Sequence, residues 1–521
     1  MDWRRAAALI AAAWACAALP AGAKSRADAV SNPDTKAWWH IAEHLSSDAM
    51  EGRDIGSPGH QRAAEWVAAR FMAAGLKPAG DHGTYLQRFP VHEVKVVASA
   101  AEVARARDPV RLRFLHDYSV RAAEDLPPKL EAAMVFAGYC RPEDLARAKG
   151  KVALCINTRR IGLTTSAEQL KNAEAAGALG LIQVDDPGFT IEPFRWPAAY
   201  ARTVTLAEAP PAPTHGFVSM TLSANAFAEM ARGSGHDGAK VLAAGGRKAP
   251  LPVFALPGRF RASFRSTTRD YDGVNVLAEL PGSDPRLAAE TLVLSAHLDG
   301  YGYGTPVKGD KLYNGTLDDA AYVGTLIRLA EQRTGRPYRR SVVFAAFDGE
   351  EKGLLGSTWF TRHPTAPKAS LAADINLDQL RPLFPLRLLT VTAMKESALG
   401  DTVRAVAGEQ GIATQPDPEP ERSLITRADH YPFMKIGVPA IGFVFGFRPG
   451  TQDERRYREW YQVRYHRPQD DLSQPMDFKA AGDFNRFFYT LVERVADAAE
   501  RPAWKPASPY ARLGSTSGAP R

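Results

Sequence analysis

Cysteine is scarce in this chain, with three in 521 residues. So few thiols exclude a disulfide-rich scaffold, and Cys140 and Cys155 lie too far from any histidine-rich segment to form a zinc–thiolate site. These two cysteines follow two short apolar runs. They could therefore pair in an oxidising compartment or remain buried free thiols, and the sequence leaves both states open.

Runs of like charge are also missing. The net charge is +7, but the 65 basic and 58 acidic residues are interspersed, and Lys and Arg never occupy five consecutive positions. No basic stripe with interleaved aromatic residues occurs either. The composition therefore argues against a nucleic-acid-binding protein.

Long apolar segments are absent after the N-terminus, which predicts no stable membrane insertion of the mature chain. The N-terminus itself has a short basic head with Arg4 and Arg5, an apolar run over 6–19 and small residues at 21–23. This layout is typical of a cleaved secretory signal peptide at 1–23, with an uncleaved anchor as the alternative. We therefore expect a secreted or periplasmic protein.

Several widespread catalytic motifs are missing. The chain has no GxSxG nucleophile elbow, no P-loop and no GxGxxG dinucleotide fingerprint. His92 and Glu93 begin an HExxH-like pattern, but the second histidine is absent. These absences disfavour serine hydrolases, nucleotide-dependent enzymes and zincin-type proteases.

Hydrophobic periodicity divides the chain into regions with different predicted secondary structure. Residues 35–89 show helical spacing, residues 92–257 show short β-like runs, and from residue 271 apolar strands alternate with helices. The alternation predicts an α/β domain whose mixed sheet is mostly parallel and flanked by helices. The predicted segments are a signal peptide at 1–23, a catalytic domain formed by 24–90 and 258–500, a β-rich inserted domain at 91–257, and a disordered tail at 501–521.

Polar side chains gather where the predicted strands end, and the carboxyl ends of strands are where open α/β sheets bind ligands. Taken singly, most would be helix caps or solvated surface groups. So many carboxylates at one edge would repel one another unless a cation lay among them. These residues are His297, Asp299, Asp318, Asp319, Glu350, Glu351, Asp378, Asp429, His430, Tyr465 and His466.

Two imidazoles and three carboxylates of this set form a borderline-soft ligand group that suits Zn²⁺. Five ligands can hold two ions if one carboxylate bridges, and two ions that share a water can acidify it and polarise a carbonyl. One of Glu350 and Glu351 would then remain free as a general base. Asp299, two residues after His297, is expected to hold the other ring nitrogen. The five candidate ligands are His297, Asp318, Glu351, Asp378 and His466.

Six ordered elements of the sequence resemble the dizinc aminopeptidase family, which also contains glutamate carboxypeptidase and the glutaminyl cyclases. They are HLD at 297–299, GTLDD at 315–319, FDGEEKGLLGS at 347–357, NLD at 376–378, RADHYPF at 427–433 and YH at 465–466. The resemblance covers nearly the whole mature chain. It implies a zinc-exopeptidase, phosphorylase/hydrolase-like fold and identifies the insertion as similar to a protease-associated domain.

The resemblance implies a metal ligand set with two zinc ions. His297 and Asp378 would hold one ion. Glu351 and His466 would hold the other, and Asp318 would bridge the two.

The resemblance also implies roles around that centre. Glu350 would be the general base, and Asp319 would follow a cis peptide bond that aims the preceding carboxylate. Asp429, His430 and Tyr465 would lie nearby, as supports of the ligands or as substrate contacts.

The chain departs from the family pattern in two places. Residues 320–322 are Ala-Ala-Tyr where the family often has small residues and glycine, and Ala428 replaces a common serine. Neither position is a predicted ligand, so both bear on substrate fit rather than on the metal centre.

The function implied is a secreted aminopeptidase that removes N-terminal residues from peptides. Carboxypeptidase or glutaminyl cyclase chemistry on the same scaffold is the alternative, and a cyclase would be expected to use one zinc. A carboxypeptidase needs a cation for the substrate carboxylate, for which Arg422, Arg427 and Arg448 are the nearby candidates. A non-catalytic binding protein would be expected to lack ligands or the base, whereas all six residues are present.

Overall fold

The computed structural model describes residues 25–189 and 201–513. The predicted signal peptide at 1–23 lies outside the described residues, as does the end of the predicted tail. Within the described ranges, helices that combine the length and the apolar character needed to cross a bilayer do not occur.

Helices cover both faces of the catalytic sheet. The first begins after Asn32, whose side chain accepts a hydrogen bond from the Thr35 amide, with Pro33 in the first turn. The last buries an apolar stripe that includes Phe484, Phe488 and Leu491. The α-helices are α1 Pro33–Leu45, α2 Pro58–Ala73, α3 Ser166–Ala175, α4 Ala224–Ala231, α5 Gly238–Gly246, α6 Ala321–Gln332, α7 Leu355–Arg362, α8 Ala398–Glu409, α9 His430–Lys435, α10 Gln452–Val463 and α11 Phe478–Ala496.

The strands form one sheet of sixteen and a separate two-stranded hairpin, β12 with β13. They are β1 Lys77–Pro78, β2 Leu86–Ala104, β3 Val110–Leu112, β4 Tyr118–Val120, β5 Lys129–Ala137, β6 Val152–Asn157, β7 Gly180–Asp185, β8 Arg202–Leu206, β9 Val218–Leu222, β10 Val253–Leu280, β11 Thr291–His297, β12 Gly302–Val307, β13 Asp310–Tyr313, β14 Ser341–Phe347, β15 Leu371–Asn376, β16 Leu388–Thr392, β17 Ala413–Pro416 and β18 Ala440–Phe445.

The catalytic half of the sheet has the order β17-β16-β18-β15-β11-β14-β10. Strands β18, β15, β11 and β14 run parallel, while β10 pairs antiparallel with β14 and β16 pairs antiparallel with β18. Every residue of the four parallel strands is buried, because helices pack on both faces. The predicted mixed, mostly parallel sheet flanked by helices is confirmed.

Two long strands carry the chain between the catalytic sheet and the predicted insertion. Strands β2 and β10 pair antiparallel from Leu86 to Ala104, and β10 also pairs with β5. The predicted borders at 91 and 257 fall inside these strands, so the sheet is continuous across both borders. A second apolar core nevertheless lies within the predicted insertion, built around residues such as Phe136, Leu154 and Phe227.

Cys140 and Cys155 form a disulfide, with 5.7 Å between their Cα atoms. Strands β5 and β6 run parallel as neighbours, which brings the two cysteines together. The sequence had left this pairing open.

The tail differs from its prediction up to residue 513. The Trp504 indole donates to the Gly437 carbonyl at 2.8 Å, and Arg501 donates to the Ala369 carbonyl at 2.9 Å. Trp504 also packs on an apolar cluster that includes Phe433. Composition predicted disorder from residue 501, but one large aromatic side chain anchors this segment.

Candidate metal centre

The centre lies at the carboxyl edge of the parallel strands. His297, the last residue of β11, is in register with Phe347 of β14, and Ser295 is in register with Asn376 of β15. The chain continues from these ends into 348–351 and 377–378. The parallel register therefore brings residues far apart in sequence to one edge.

The five predicted ligands and Glu350 come together there in three overlapping groups, each with its ligand atoms within 4.8 Å of one another. Two of the groups share Asp318, which therefore lies between two clusters of imidazole and carboxylate. The groups are His297 with Asp318 and Asp378, then Asp318 with Glu351 and His466, and finally His297 with Glu350 and Glu351.

Orphaned polar atoms test whether a metal suits this cluster. His297 Nε2, Glu351 Oε1 and Asp378 Oδ2 are buried and have no hydrogen-bond partner among the described residues. A buried polar atom without a partner costs about 1–3 kcal/mol, so such atoms are rare unless something else binds them. The three atoms include one imidazole nitrogen and two carboxylate oxygens, which is the donor chemistry that zinc prefers.

The histidine contacts support the same conclusion. His297 Nδ1 lies 3.1 Å from the Asp299 carbonyl oxygen, which can only accept, so Nε2 is left with its lone pair. His466 Nδ1 lies 2.5 Å from the Tyr301 hydroxyl, while its Nε2 faces Asp318 Oδ2 at 3.1 Å and Glu351 Oε2 at 3.2 Å. A cation among these nitrogen and oxygen atoms would bind their lone pairs, which otherwise face one another.

Burial dominates the electrostatics of the carboxylates. It raises the pKa of Glu350 well above its ordinary range, and burial together with the Asp318 charge raises the pKa of Glu351 to about 8. Burial would also raise the pKa of Asp318, but the neighbouring Arg381 guanidinium holds that pKa well below its usual value. Crowded acids of this kind favour a bound cation.

Asp299 contacts the turn that carries the glutamates more closely than it contacts His297. Its two carboxylate oxygens accept hydrogen bonds from the backbone amides of Glu350 at 3.0 Å and Glu351 at 3.3 Å. The carboxylate lies 3.5 Å from His297 Nδ1, whereas the Asp299 carbonyl is nearer at 3.1 Å. Asp299 therefore holds both the His297 ring and the turn that carries Glu350 and Glu351.

Asp319 follows a cis peptide bond from Asp318, as the resemblance implied. Its side chain is fully buried and accepts a hydrogen bond from the His297 backbone amide at 3.1 Å. Burial raises the pKa of Asp319 well above its ordinary range.

The three remaining predicted residues lie outside the three ligand groups. Asp429 accepts a hydrogen bond from the Ser357 hydroxyl, and burial raises the pKa of Asp429 to about 7. His430 lies 3.4 Å from the Thr392 hydroxyl in the interior. The Tyr465 hydroxyl accepts a hydrogen bond from Arg427 at 3.2 Å, so this arginine, one of three named for the carboxypeptidase alternative, contacts the protein itself.

Sequence reasoning missed two residues of the centre. Tyr301 contacts His466, and Arg381 contacts Asp318 Oδ1 at 3.2 Å. Each lies two or three residues beyond a predicted residue, Asp299 and Asp378 respectively. The only signal available was this closeness in sequence, because a phenol or guanidinium after a strand is common on protein surfaces.

A narrow cavity opens on the Glu351–His466 side of the centre. The β12–β13 hairpin borders it, and Tyr303 on that hairpin is 54% exposed. The lining residues are Tyr301, Tyr313, Gly315, Asp318, Glu351, His466, Arg467 and Asp470. Three of the predicted ligands, Asp318, Glu351 and His466, therefore line this cavity.

Comparison with known proteins assigns this edge of the sheet to a family. Residues 275–492 match the profile of Peptidase family M28, a range that contains all five predicted ligands and Glu350. Over 261 residues, the chain is 29% identical to the alkaline phosphatase isozyme conversion protein of Escherichia coli (strain K12), covering 45% of this chain and 74% of that protein. A probable zinc metalloprotease of Pyrenophora tritici-repentis is 27% identical over 218 residues, 36% of this chain and 49% of that protein.

Solved structures share the fold. An aminopeptidase from Aneurinibacillus sp. strain AM-1 has a TM-score of 0.59 at 16% identity, covering 91% of this chain and 96% of that chain. A zinc aminopeptidase from Bacillus subtilis has a TM-score of 0.58 at 18% identity, covering 90% of this chain and 96% of that chain. Residues 275–492 therefore match peptidase family M28, and the chain is a zinc-dependent hydrolase.

Proposed function

We propose that this protein is an aminopeptidase that uses two zinc ions to hydrolyse the N-terminal peptide bond of its substrates. The observation that carries the proposal is the pair of ligand groups that share Asp318. His297 and Asp378 would hold one ion, Glu351 and His466 would hold the other, and Asp318 would contribute to both. The structures that share the fold over 90–91% of this chain include enzymes described as aminopeptidases, which supports the same direction of attack.

When bound, zinc supplies a Lewis acid that polarises the scissile carbonyl and acidifies water. The protein supplies the proton transfers. Glu350 belongs to neither of the two groups that share Asp318, so it is available as the general base. It takes a proton from the attacking water and delivers it to the leaving amine.

The positions of these groups are fixed by their neighbours. Asp299 accepts from the Glu350 amide, which sets the turn that carries the base. Tyr301 and the Asp299 carbonyl hold the Nδ1 atoms of His466 and His297, so each Nε2 points into the centre.

We also propose export from the cytoplasm, directed by residues 1–23 and followed by cleavage. The Cys140–Cys155 disulfide supports this location, because such bonds persist in oxidising compartments. Residues 91–257 would form the inserted, protease-associated domain of the exported enzyme.

Metal analysis and substrate class test the proposal together. We expect about two zinc ions per purified chain and hydrolysis of aminoacyl anilides. Peptides with a blocked carboxyl group should be cleaved, and peptides with a blocked amine should not.

Three outcomes would contradict the proposal. A purified chain that binds no zinc would contradict the proposed metal centre. Cleavage of amine-blocked but not carboxyl-blocked peptides indicates a carboxypeptidase. Conversion of N-terminal glutamine to a cyclic product by an enzyme holding one zinc indicates a glutaminyl cyclase.

A further inference from the structure

Arg381 is a buried cation inside the candidate centre. Its side chain has no exposed surface, and it follows Asp378 by three residues in the segment after β15. Its Nη1 atom donates to the carbonyls of Leu317 at 2.7 Å, Asp378 at 2.8 Å and Leu380 at 2.9 Å. The guanidinium therefore joins the two chain segments that carry Asp318 and Asp378.

Aromatic rings shield this charge from water. The guanidinium carbon lies 4.5 Å from the Trp460 ring centroid, 6.0 Å from that of Tyr461 and 5.8 Å from that of Tyr465. A charge in such a setting is attracted to the ring faces and is poorly screened by salt. Its effect on neighbouring ions is therefore larger than that of a surface arginine.

The charge acts on one side of the bridging carboxylate. Arg381 Nη2 lies 3.2 Å from Asp318 Oδ1, the oxygen that faces His297 Nε2 at 3.5 Å. The other oxygen, Oδ2, faces His466 Nε2 at 3.1 Å. The guanidinium therefore shares the oxygen that belongs to the His297–Asp378 side.

We propose that Arg381 makes the two zinc positions unequal by weakening the His297–Asp378 position relative to the Glu351–His466 position. The inference rests on the proposed two-zinc function. Arg381 competes for Asp318 Oδ1 and repels a dication placed beside it, while it keeps the carboxylate in its bridging orientation. It is a positioning residue that acts through Asp318.

The Glu351–His466 side has cations of its own, because Lys352 follows Glu351 and Arg467 follows His466 and lines the cavity. The two sides differ in that Arg381 contacts the bridging carboxylate itself. Lys352 Nζ lies 3.4 Å from Asp54 Oδ1. That pairing offsets its charge. The first zinc ion should therefore occupy the Glu351–His466 side, and the second should bind at least tenfold more weakly.

Stepwise cobalt(II) and zinc titration of the apoprotein tests this order, with absorption spectroscopy and calorimetry as readouts. In the wild-type chain we expect two resolved steps. Asp378→Asn should remove or weaken the second step and leave the first within threefold. Glu351→Gln should remove or weaken the first step.

Substitution of Arg381 tests the cause. Arg381→Met keeps an unbranched apolar stem without the charge and should tighten the second step at least tenfold, while the first step changes less than threefold. Arg381→Lys keeps a charge at this place and should stay near the wild-type values. Arg340→Met is the matched control, because Arg340 is equally buried but pairs with Glu290 at the opposite edge of the sheet.

Each other outcome overturns the inference. Two steps within threefold of each other in the wild-type chain, or a first step lost in Asp378→Asn and kept in Glu351→Gln, would contradict the proposed order without affecting the two-zinc function. An unchanged or uniformly weakened pair of steps in Arg381→Met would contradict the proposed cause. Failure of the wild-type chain to bind either metal would remove the proposed function as well. If Arg381→Met does not fold, the order is still decided by Asp378→Asn and Glu351→Gln.

Discussion

Glu350 and the neighbouring Glu351 differ in the residues that their side chains face. Glu351 faces His466, whereas Glu350 groups with His297 and Glu351 only. Glu350→Gln keeps the shape of the side chain and removes the proton acceptor. We expect kcat to fall by roughly 10²–10⁴-fold with zinc content unchanged, measured by anilide hydrolysis and metal analysis.

Glu65→Gln is the matched control, because Glu65 is exposed on α2. Its activity should equal that of the wild-type enzyme. Retention of most activity in Glu350→Gln would show that another group acts as the base.

His430 makes stability depend on pH. Burial lowers its pKa to about 4, from 6.5 in the unfolded chain. Between these values the unfolded chain binds a proton that the folded imidazole does not, so stability falls as the pH drops from 6.5 towards 4. Between pH 7.5 and pH 5, His430→Gln should lose about 2 kcal/mol less stability than the wild-type chain, as measured by urea unfolding.

The exposed residue His116 provides the control. His116→Gln should follow the pH dependence of the wild-type chain. Parallel curves for wild type and His430→Gln would mean that His430 titrates normally in the folded state.

At the scale of elements, Arg53 connects the loops that surround the centre. It is fully buried and donates to the carbonyls of Leu298 at 2.8 Å, Asn314 at 2.8 Å and Gly315 at 2.9 Å. It also donates to the last residue of α1, Leu45, at 2.6 Å. One planar guanidinium thus joins α1, the end of β11 and the segment before Asp318, which a lysine could not do.

Arg53→Met should therefore lower the free energy of unfolding by about 3 kcal/mol or more, because several buried carbonyls lose a charged donor. It should also weaken zinc binding, since Gly315 begins the segment that presents Asp318. Urea unfolding and calorimetry measure the two effects. Arg62→Met is the control, because Arg62 donates to the Ala49 carbonyl from a largely exposed position and should cost little. An Arg53→Met protein as stable as the control would contradict this role.

At the scale of the whole molecule, the centre couples metal to stability. Its carboxylates come from the segments that follow β14 and β15 and from the segment before α6, so repulsion among them acts on the edge of the catalytic sheet. Zinc binds the folded chain and offsets that repulsion. Chelation with EDTA should lower Tm by on the order of 5 °C or more, and zinc, but not magnesium, should restore it. Scanning calorimetry measures this, and an unchanged Tm would mean that the ions contribute nothing to the fold.

The described residues also show which features of the fold the local sequence pattern can predict. The strand–helix alternation from residue 271 predicted a mixed, mostly parallel sheet flanked by helices, and α6 at Ala321–Gln332 is one of the helices found there. The ligand candidates could be named because parallel strands place their carboxyl ends at one edge, a consequence of chain direction alone.

Other features depended on contacts between distant segments. Arg381 lies beside Asp318, 63 positions earlier, only because the segments after β15 and before α6 pack together. Tyr301 reaches His466 across 165 positions. Local sequence pattern does not indicate which distant segments come into contact.

The sequence by itself determined the class of fold, the residues that could bind metal and the family resemblance, because each depends on short-range pattern and residue chemistry. Tertiary structure alone decided that Cys140 and Cys155 are paired, that Trp504 anchors the segment after residue 501, and that the Asp299 carboxylate holds the glutamate turn. These depend on which surfaces meet after the chain has folded. The unequal charge around Asp318 is of the same kind, since one oxygen meets Arg381 and the other meets His466.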